Sequence, residues 1–279
     1  MNEHMSGLLY DINIKFDFNE YFNLSLKGDF NDFSKEPSRT PELTNTGSFE
    51  KGWNKENGKW YLYKQGTKEE IFSEIFTYKL GTKLNFKMAK YEYEEPYIKS
   101  LNFTNDNLIF EPISGVVGSE EDYNKNFNTL LKMDETGSLA KEYLKIIYLD
   151  SIVFNVDRHT ENFGFMRNEV TGKIVSLAPN FDNNLSLISR SYPNDLNRSK
   201  DMLISFFTDF LEENEVALKM FLDENIPLVF NEDLNKIIEE MPQNLTKDID
   251  IETVKEFILN GQDIINDRLL ELSKEKRAI

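Results

Sequence analysis

Phe154-Asn155-Val156-Asp157-Arg158-His159-Thr160-Glu161-Asn162-Phe163-Gly164, followed by Ser176-Leu177-Ala178-Pro179-Asn180-Phe181-Asp182-Asn183-Asn184, is where the sequence commits itself. The first segment comes directly after an apolar run and is flanked by Phe154 and Phe163. A polar loop pinned between apolar residues is more often a site than a solvated turn. Residues 155–187 are also the least periodic part of the chain. The pattern to explain is an Asp, four intervening residues, an Asn, and a distal Asp: Asp157, Asn162 and Asp182.

Working outward, Leu139 to Phe154 reads as a long buried helix with Tyr143, Leu144, Ile147 and Val153 among its apolar positions. From Lys200 onward the periodicity is helical: Met202–Leu211, Asn214–Leu222, Asp233–Glu240 and Ile251–Leu272, with Pro227 and Pro242 as punctuation. Upstream, Ile12, Ile14, Phe16 and Phe18 alternate with polar residues and predict a strand, and Leu24 and Leu26 repeat the pattern. Lys59 to Lys64 is an aromatic strand preceded by a hairpin turn in Asn54-Lys55-Glu56-Asn57-Gly58-Lys59. Residues 68–80 place Ile71, Phe72, Ile75, Phe76 and Leu80 on one helical face, and Gly81 is expected to end that helix. Strands are expected around Lys87–Tyr93 and Asn107–Glu111. The organisation is therefore α+β: a β-rich lobe over 1–112 and a mostly helical lobe over 113–279.

Composition bounds the function classes. The chain has 279 residues, 22 Phe and 12 Tyr, which suits a globular protein with ample core. A net charge of −17 argues against a direct nucleic-acid binder, which needs a basic footprint, and against lipid contact through the whole surface. With no cysteine, disulfides, thiol nucleophiles and cysteine-based zinc sites are excluded. His4 and His159 are far apart in sequence, which disfavours a histidine metal site. Neither a signal peptide nor a transmembrane segment is read from the chain, and a cytoplasmic protein is expected, with a secreted effector as the other option.

The pattern of Asp157, Asn162 and Asp182 suits phosphoryl transfer. That chemistry is mostly positioning plus cations. Mg²⁺ takes a few side-chain oxygens and the phosphates, and a carboxylate must orient and deprotonate the attacking hydroxyl. Protein kinases use an Asp, an Asn five residues on, and a distal Asp for these tasks. Asp157 is the candidate catalytic base, while Asn162 and Asp182 are candidate ligands of Mg²⁺ in a Mg-ATP site.

Asp157-Arg158-His159-x-x-Asn162-Phe163, then Leu177-Ala178-Pro179-x-Phe181-Asp182, resembles the catalytic and metal-binding segments of the HipA-like serine/threonine kinases. The first string is also similar to that of the phosphatidylinositol 3- and 4-kinases; the Ala-Pro-x-Phe-Asp element favours the HipA-like side. The resemblance implies a two-lobed, protein-kinase-like fold and further residues. Lys64 stands where the family keeps its phosphate-binding lysine, and Glu74, or Glu70 one turn away, is its expected partner. Gly47 and Ser48, with Thr46, resemble the short loop over the nucleotide phosphates, in which Ser48 is a candidate autophosphorylation site. Leu108 to Pro112, with Glu111 and Ile113, is the expected adenine-binding hinge. Arg158 and His159 are expected to support the catalytic loop, with Arg158 pairing with Asp157 or with phosphate. About forty residues precede the Gly47 loop, fewer than the extra N-terminal subdomain of the family's two-part toxins requires, so a minimal member is expected. The family implies a protein substrate and an antitoxin or other regulatory partner. Alternative readings are a lipid or small-molecule kinase and an ATP-binding pseudokinase.

Overall fold

The computed structural model describes residues 51–105, 107–119, 121–190 and 196–275. Among these, residues 51–67 and 90–105 form one compact unit, and Lys68–Ala89 with the chain from 107 onward form a second. The strands expected over 12–26 and the loop of Thr46, Gly47 and Ser48 lie outside the described residues.

The first unit is a four-stranded antiparallel sheet in the order β1-β2-β4-β3, built from β1 (Lys51–Glu56), β2 (Lys59–Lys64), β3 (Tyr91–Glu94) and β4 (Tyr97–Leu101). Asn57 and Gly58, with φ of 49° and 81°, make the turn between β1 and β2. Positive φ at both central residues matches the twist of a two-residue hairpin, which Asn-Gly supplies cheaply. The turn is thus narrower than expected, and Asn54 to Glu56 belong to β1. The strand expected over 87–93 starts later, and β4 returns beside it after Glu95-Pro96, a turn without the usual Asn or Gly.

One face of this sheet is an ion cluster. Lys99 Nζ lies 2.6 Å from Glu94 and 2.9 Å from Glu56, between the rings of Tyr61 and Tyr63. Burial and the acceptors Glu56 and Glu94 push the Tyr63 phenol well above its usual range. The other face carries Trp53, Leu62, Lys64, Ile98 and Ser100, as the register and the alternation of side chains require.

The second unit begins with α1 (Lys68–Lys83), which buries the predicted stripe of Ile71, Phe72, Ile75, Phe76 and Leu80. Gly81 does not end this helix. It lies against the Met88 side chain, where a Cβ would collide, so the glycine serves close packing. A three-stranded antiparallel sheet follows in the order β5-β6-β7: β5 (Leu108–Pro112), β6 (Gly164–Asn168) and β7 (Ile174–Leu177). The β6–β7 hairpin was not expected from the sequence, because Phe165 and Met166 are both buried and no alternation betrays the strand.

Between β5 and β6 the chain forms α2 (Ser114–Val117), α3 (Tyr123–Met133) and α4 (Ser138–Val153), and after β7 it forms α5 (Met202–Glu213), α6 (Glu215–Asp223), α7 (Asn231–Glu239), α8 (Gln243–Thr246) and α9 (Ile251–Glu275). Side-chain caps start four of these: Asp122 on α3, Asp201 on α5, Asn214 on α6 and Asp250 on α9. The central α4 is buried along most of its length and packs against α3, α5, α6 and α9. Arg198 and Asp201, both fully buried, form an ion pair at 2.8 Å. Arg198 also donates to the carbonyls of Ser151 and Ile152, in the last turn of α4, and to that of Phe257 on α9. A cation there meets the negative end of the α4 dipole.

Candidate functional site

The loop of residues 154–163 is launched by the end of α4. Phe154 adopts a left-handed conformation with φ of 56°, and the N–H groups of Phe154 and Asn155 both return to the Asp150 carbonyl. This closes the helix and turns the chain back over its own last turn.

Within the loop, the Asp157 carbonyl accepts from the His159 N–H and from Asn162 Nδ2, each at 2.9 Å. Asn162 is buried, and that bond commits its amide nitrogen, leaving Oδ1 as the atom it can offer a cation. The Asp157 carboxylate is half-buried and bonds to no other side chain among the described residues. His159 Nδ1 accepts the Glu161 N–H at 3.3 Å, so this histidine braces the loop's own backbone.

Arg158 organises everything around these groups. Its side chain is 5% exposed and meets Asp150 in a fork, Nε at 2.9 Å and Nη2 at 3.0 Å. Nη1 donates to the carbonyls of Asn162 and Phe181, both at 2.7 Å. Nη2 also reaches Asn180 Oδ1 at 2.9 Å and Asn183 Oδ1 at 2.6 Å. The expectation that Arg158 pairs with Asp157 or with phosphate is therefore corrected: its partner is Asp150, eight residues back in α4. Burial alone would weaken the guanidinium's charge, but Asp150 outweighs this and the pKa moves up. Asn155 completes the arrangement, donating to Asp150 at 2.9 Å and accepting from the Asp157 N–H at 3.2 Å.

The segment carrying Asp182 is held at successive residues. The Leu177 N–H donates to Glu142 at 2.8 Å, Ala178 to the Gly164 carbonyl at 2.8 Å, and Asn180 to the Lys87 carbonyl at 2.8 Å. The Asn183 N–H donates to Glu74 Oε1 at 2.9 Å. Glu74, 1% exposed, thereby ties α1 to the residue after Asp182. Asp182 itself is half-buried with φ of 61°, a left-handed conformation that Asp tolerates better than most residues. The Phe181 ring packs edge-on against Phe110 of β5, 5.4 Å away.

Three other expected residues belong to other elements. Glu111 forms an ion pair with Arg167, its diagonal neighbour on β6. Ile113 is fully buried; its N–H donates to the Phe163 carbonyl at 3.0 Å, and its carbonyl accepts from Val116 and Val117. Its main chain is thus already engaged, and it fixes the loop to β5. Lys64 belongs to the four-stranded sheet of the first unit. Sequence reasoning missed Asp150, Asn155, Asn180, Asn183 and Lys87. The signals were slight: one acid in the buried last turn of a helix, and three asparagines within the motif segments.

Gly164 joins this loop to β6 where β5 passes very close. A Cβ there would strike the Glu111 carbonyl and Pro112 Cα. Gly164→Ala is expected to destabilise the fold by about 1–3 kcal/mol, as overpacking against fixed backbone does. An unchanged melting temperature in thermal unfolding would contradict the tight crossing.

No family model and no curated protein matches the sequence. Among solved structures, the chain is similar to the proinflammatory kinase CtkA of Helicobacter pylori, with a TM-score of 0.60 and 17% identity over 80% of this chain and 95% of that one. HipA of Shewanella oneidensis MR-1, solved with HipB and operator DNA, matches with a TM-score of 0.44 and 11% identity over 81% of this chain and 66% of that one. The chain thus has a kinase-like fold resembling that of CtkA, with an antiparallel-sheet N-terminal region and a helical C-terminal part. The kinase-like fold that the motif's resemblance implies is borne out.

Proposed function

We propose that the protein is an ATP-dependent phosphotransferase that passes the γ-phosphate of Mg-ATP to a serine or threonine hydroxyl of a protein. One observation carries this reading: the Arg158 guanidinium joins the loop of Asp157 and Asn162 to the loop of Asp182 through the Asn162 and Phe181 carbonyls. The two loops that carry Asp157, Asn162 and Asp182 thus share one buried guanidinium.

Asp157 is the general base. Its uncommitted carboxylate orients the acceptor hydroxyl and takes its proton as that oxygen bonds to the γ-phosphorus and ADP departs. Asn162 Oδ1 and the Asp182 carboxylate suit Mg²⁺, a hard cation that takes one or two protein oxygens and completes its shell with phosphate and water. Bound there, the metal neutralises charge developing on the phosphates. Lys64 is proposed to meet phosphate, and Glu74 to hold the Asp182 loop in its working conformation through the Asn183 N–H.

Asp182→Asn keeps the side chain's shape and removes its charge. We expect it to weaken Mg-dependent ATP binding at least tenfold, on the scale of about 1.4 kcal/mol per decade. Calorimetric titration with ATP, with and without Mg²⁺, is the measurement. Equal Mg-ATP affinity in parent and variant would remove Asp182 from the ligand set. Incubation with γ-labelled ATP and Mg²⁺, followed by phosphosite mapping, tests the whole reading. Label on serine or threonine supports it, and failure to bind ATP at all overturns it.

A further inference from the structure

The four-stranded sheet holds a polar atom that finds no hydrogen-bond partner among the described residues. Trp53, on β1, is 5% exposed, and its indole Nε1–H is shielded from solvent without an acceptor. A buried tryptophan N–H usually finds a hydrogen-bond partner, because leaving it bare forfeits the bond it made to water.

The register says where this indole stands. Trp53 lies opposite Leu62, and Leu62 is two residues before Lys64 on the same strand. Cross-strand partners share a face, and so do alternate residues. Trp53, Leu62 and Lys64 therefore occupy one face, with Ser100 opposite Leu62 and Ile98 opposite Lys64. The other face is already filled by the cluster of Lys99, Glu56 and Glu94. Diagonal neighbours on a face stand roughly 7–8 Å apart, a span comparable to that of a nucleoside. On this face Trp53, Ile98 and Ser100 are buried, while Leu62 and Lys64, beside the indole, are half-buried.

We infer that Trp53 is the residue that recognises adenine, its Nε1–H donating to a ring nitrogen of the purine while Lys64 holds phosphate. This rests on the reading of the protein as an ATP-dependent enzyme and names a specificity contact for it.

Trp53 and Trp60 are the chain's two tryptophans, so Trp60→Phe leaves Trp53 as the only indole emitter. In that protein, Mg-ATP is expected to change the emission saturably, with the same midpoint as calorimetry gives. Trp53→Phe, in the otherwise native chain, is expected to bind ATP about tenfold more weakly, the effect of one lost hydrogen bond. Its affinity for inorganic tripolyphosphate should be unchanged, since only the purine contact is lost. The emission arm leaves Trp53 intact and holds even if Trp53→Phe folds poorly. Full ATP affinity in Trp53→Phe with silent Trp53 emission overturns the inference and leaves the ATP-dependent reading standing. No binding of ATP to the native chain overturns both.

Discussion

Asp157→Asn binds ATP much as the native protein does, yet transfers its phosphate about 10²–10⁴-fold more slowly, the usual loss when a positioned base is removed. The structure makes this substitution unusually clean. The Asp157 carboxylate bonds to no other side chain among the described residues, while its carbonyl and N–H hold the loop through Asn162, His159 and Asn155. Those main-chain bonds are indifferent to the exchange of carboxylate for amide. The variant should therefore keep its fold and lose only proton acceptance. Single-turnover transfer from γ-labelled ATP, with calorimetry for binding, separates the two effects. Native rates of transfer would show that Asp157 is not the base.

Arg158→Ala is expected to cost about 3–5 kcal/mol of folding stability, because it strands the buried Asp150 carboxylate without its partner. The same change removes donors from the carbonyls of Asn162 and Phe181 and from the side chains of Asn180 and Asn183. Arg158→Lys is expected to rescue little, since a single ammonium lacks the planar fork that reaches Asp150 with two nitrogens and four other acceptors at once. Replacing Asp150 and Arg158 together by leucine should be less damaging than either single loss, as no uncompensated charge is then buried. Urea unfolding of the four proteins gives the comparison. A loss below about 1 kcal/mol in Arg158→Ala would mean that water reaches Asp150 freely, as it does at exposed pairs.

What could be read from the sequence was local. The spacing of Asp157, Asn162 and Asp182 and the apolar stripe of α1 were visible because each depends on residues near one another in the chain. The α4 helix was visible for the same reason, and its end was read one residue past Val153, at the left-handed Phe154. Arg158 was misassigned because its partner is decided by the reversal at Phe154, which brings the last turn of α4 back beneath the loop. The bond of Glu74 to the Asn183 N–H was out of sight because it depends on how a helix 109 residues earlier packs against the loop. The β6–β7 hairpin was hidden because Phe165 and Met166 are both buried and the strand loses its alternation. Gly81 has the composition of a helix end and the environment of a packing contact, and only the position of Met88 distinguishes them.

The bracing of the Asp182 segment also makes the chain a ruler. Leu177, Ala178, Asn180, Phe181 and Asn183 each meet a different fixed neighbour, so one residue added or removed between 177 and 183 would misalign every contact beyond it. The hairpin tip at residues 169–173 has the opposite character. It is exposed throughout, and a Cβ at Gly172 would meet nothing. Within the same three-stranded sheet, length is therefore rationed on one side and free on the other. A tag or reporter inserted after Val170 leaves the count from Leu177 to Asn183 intact.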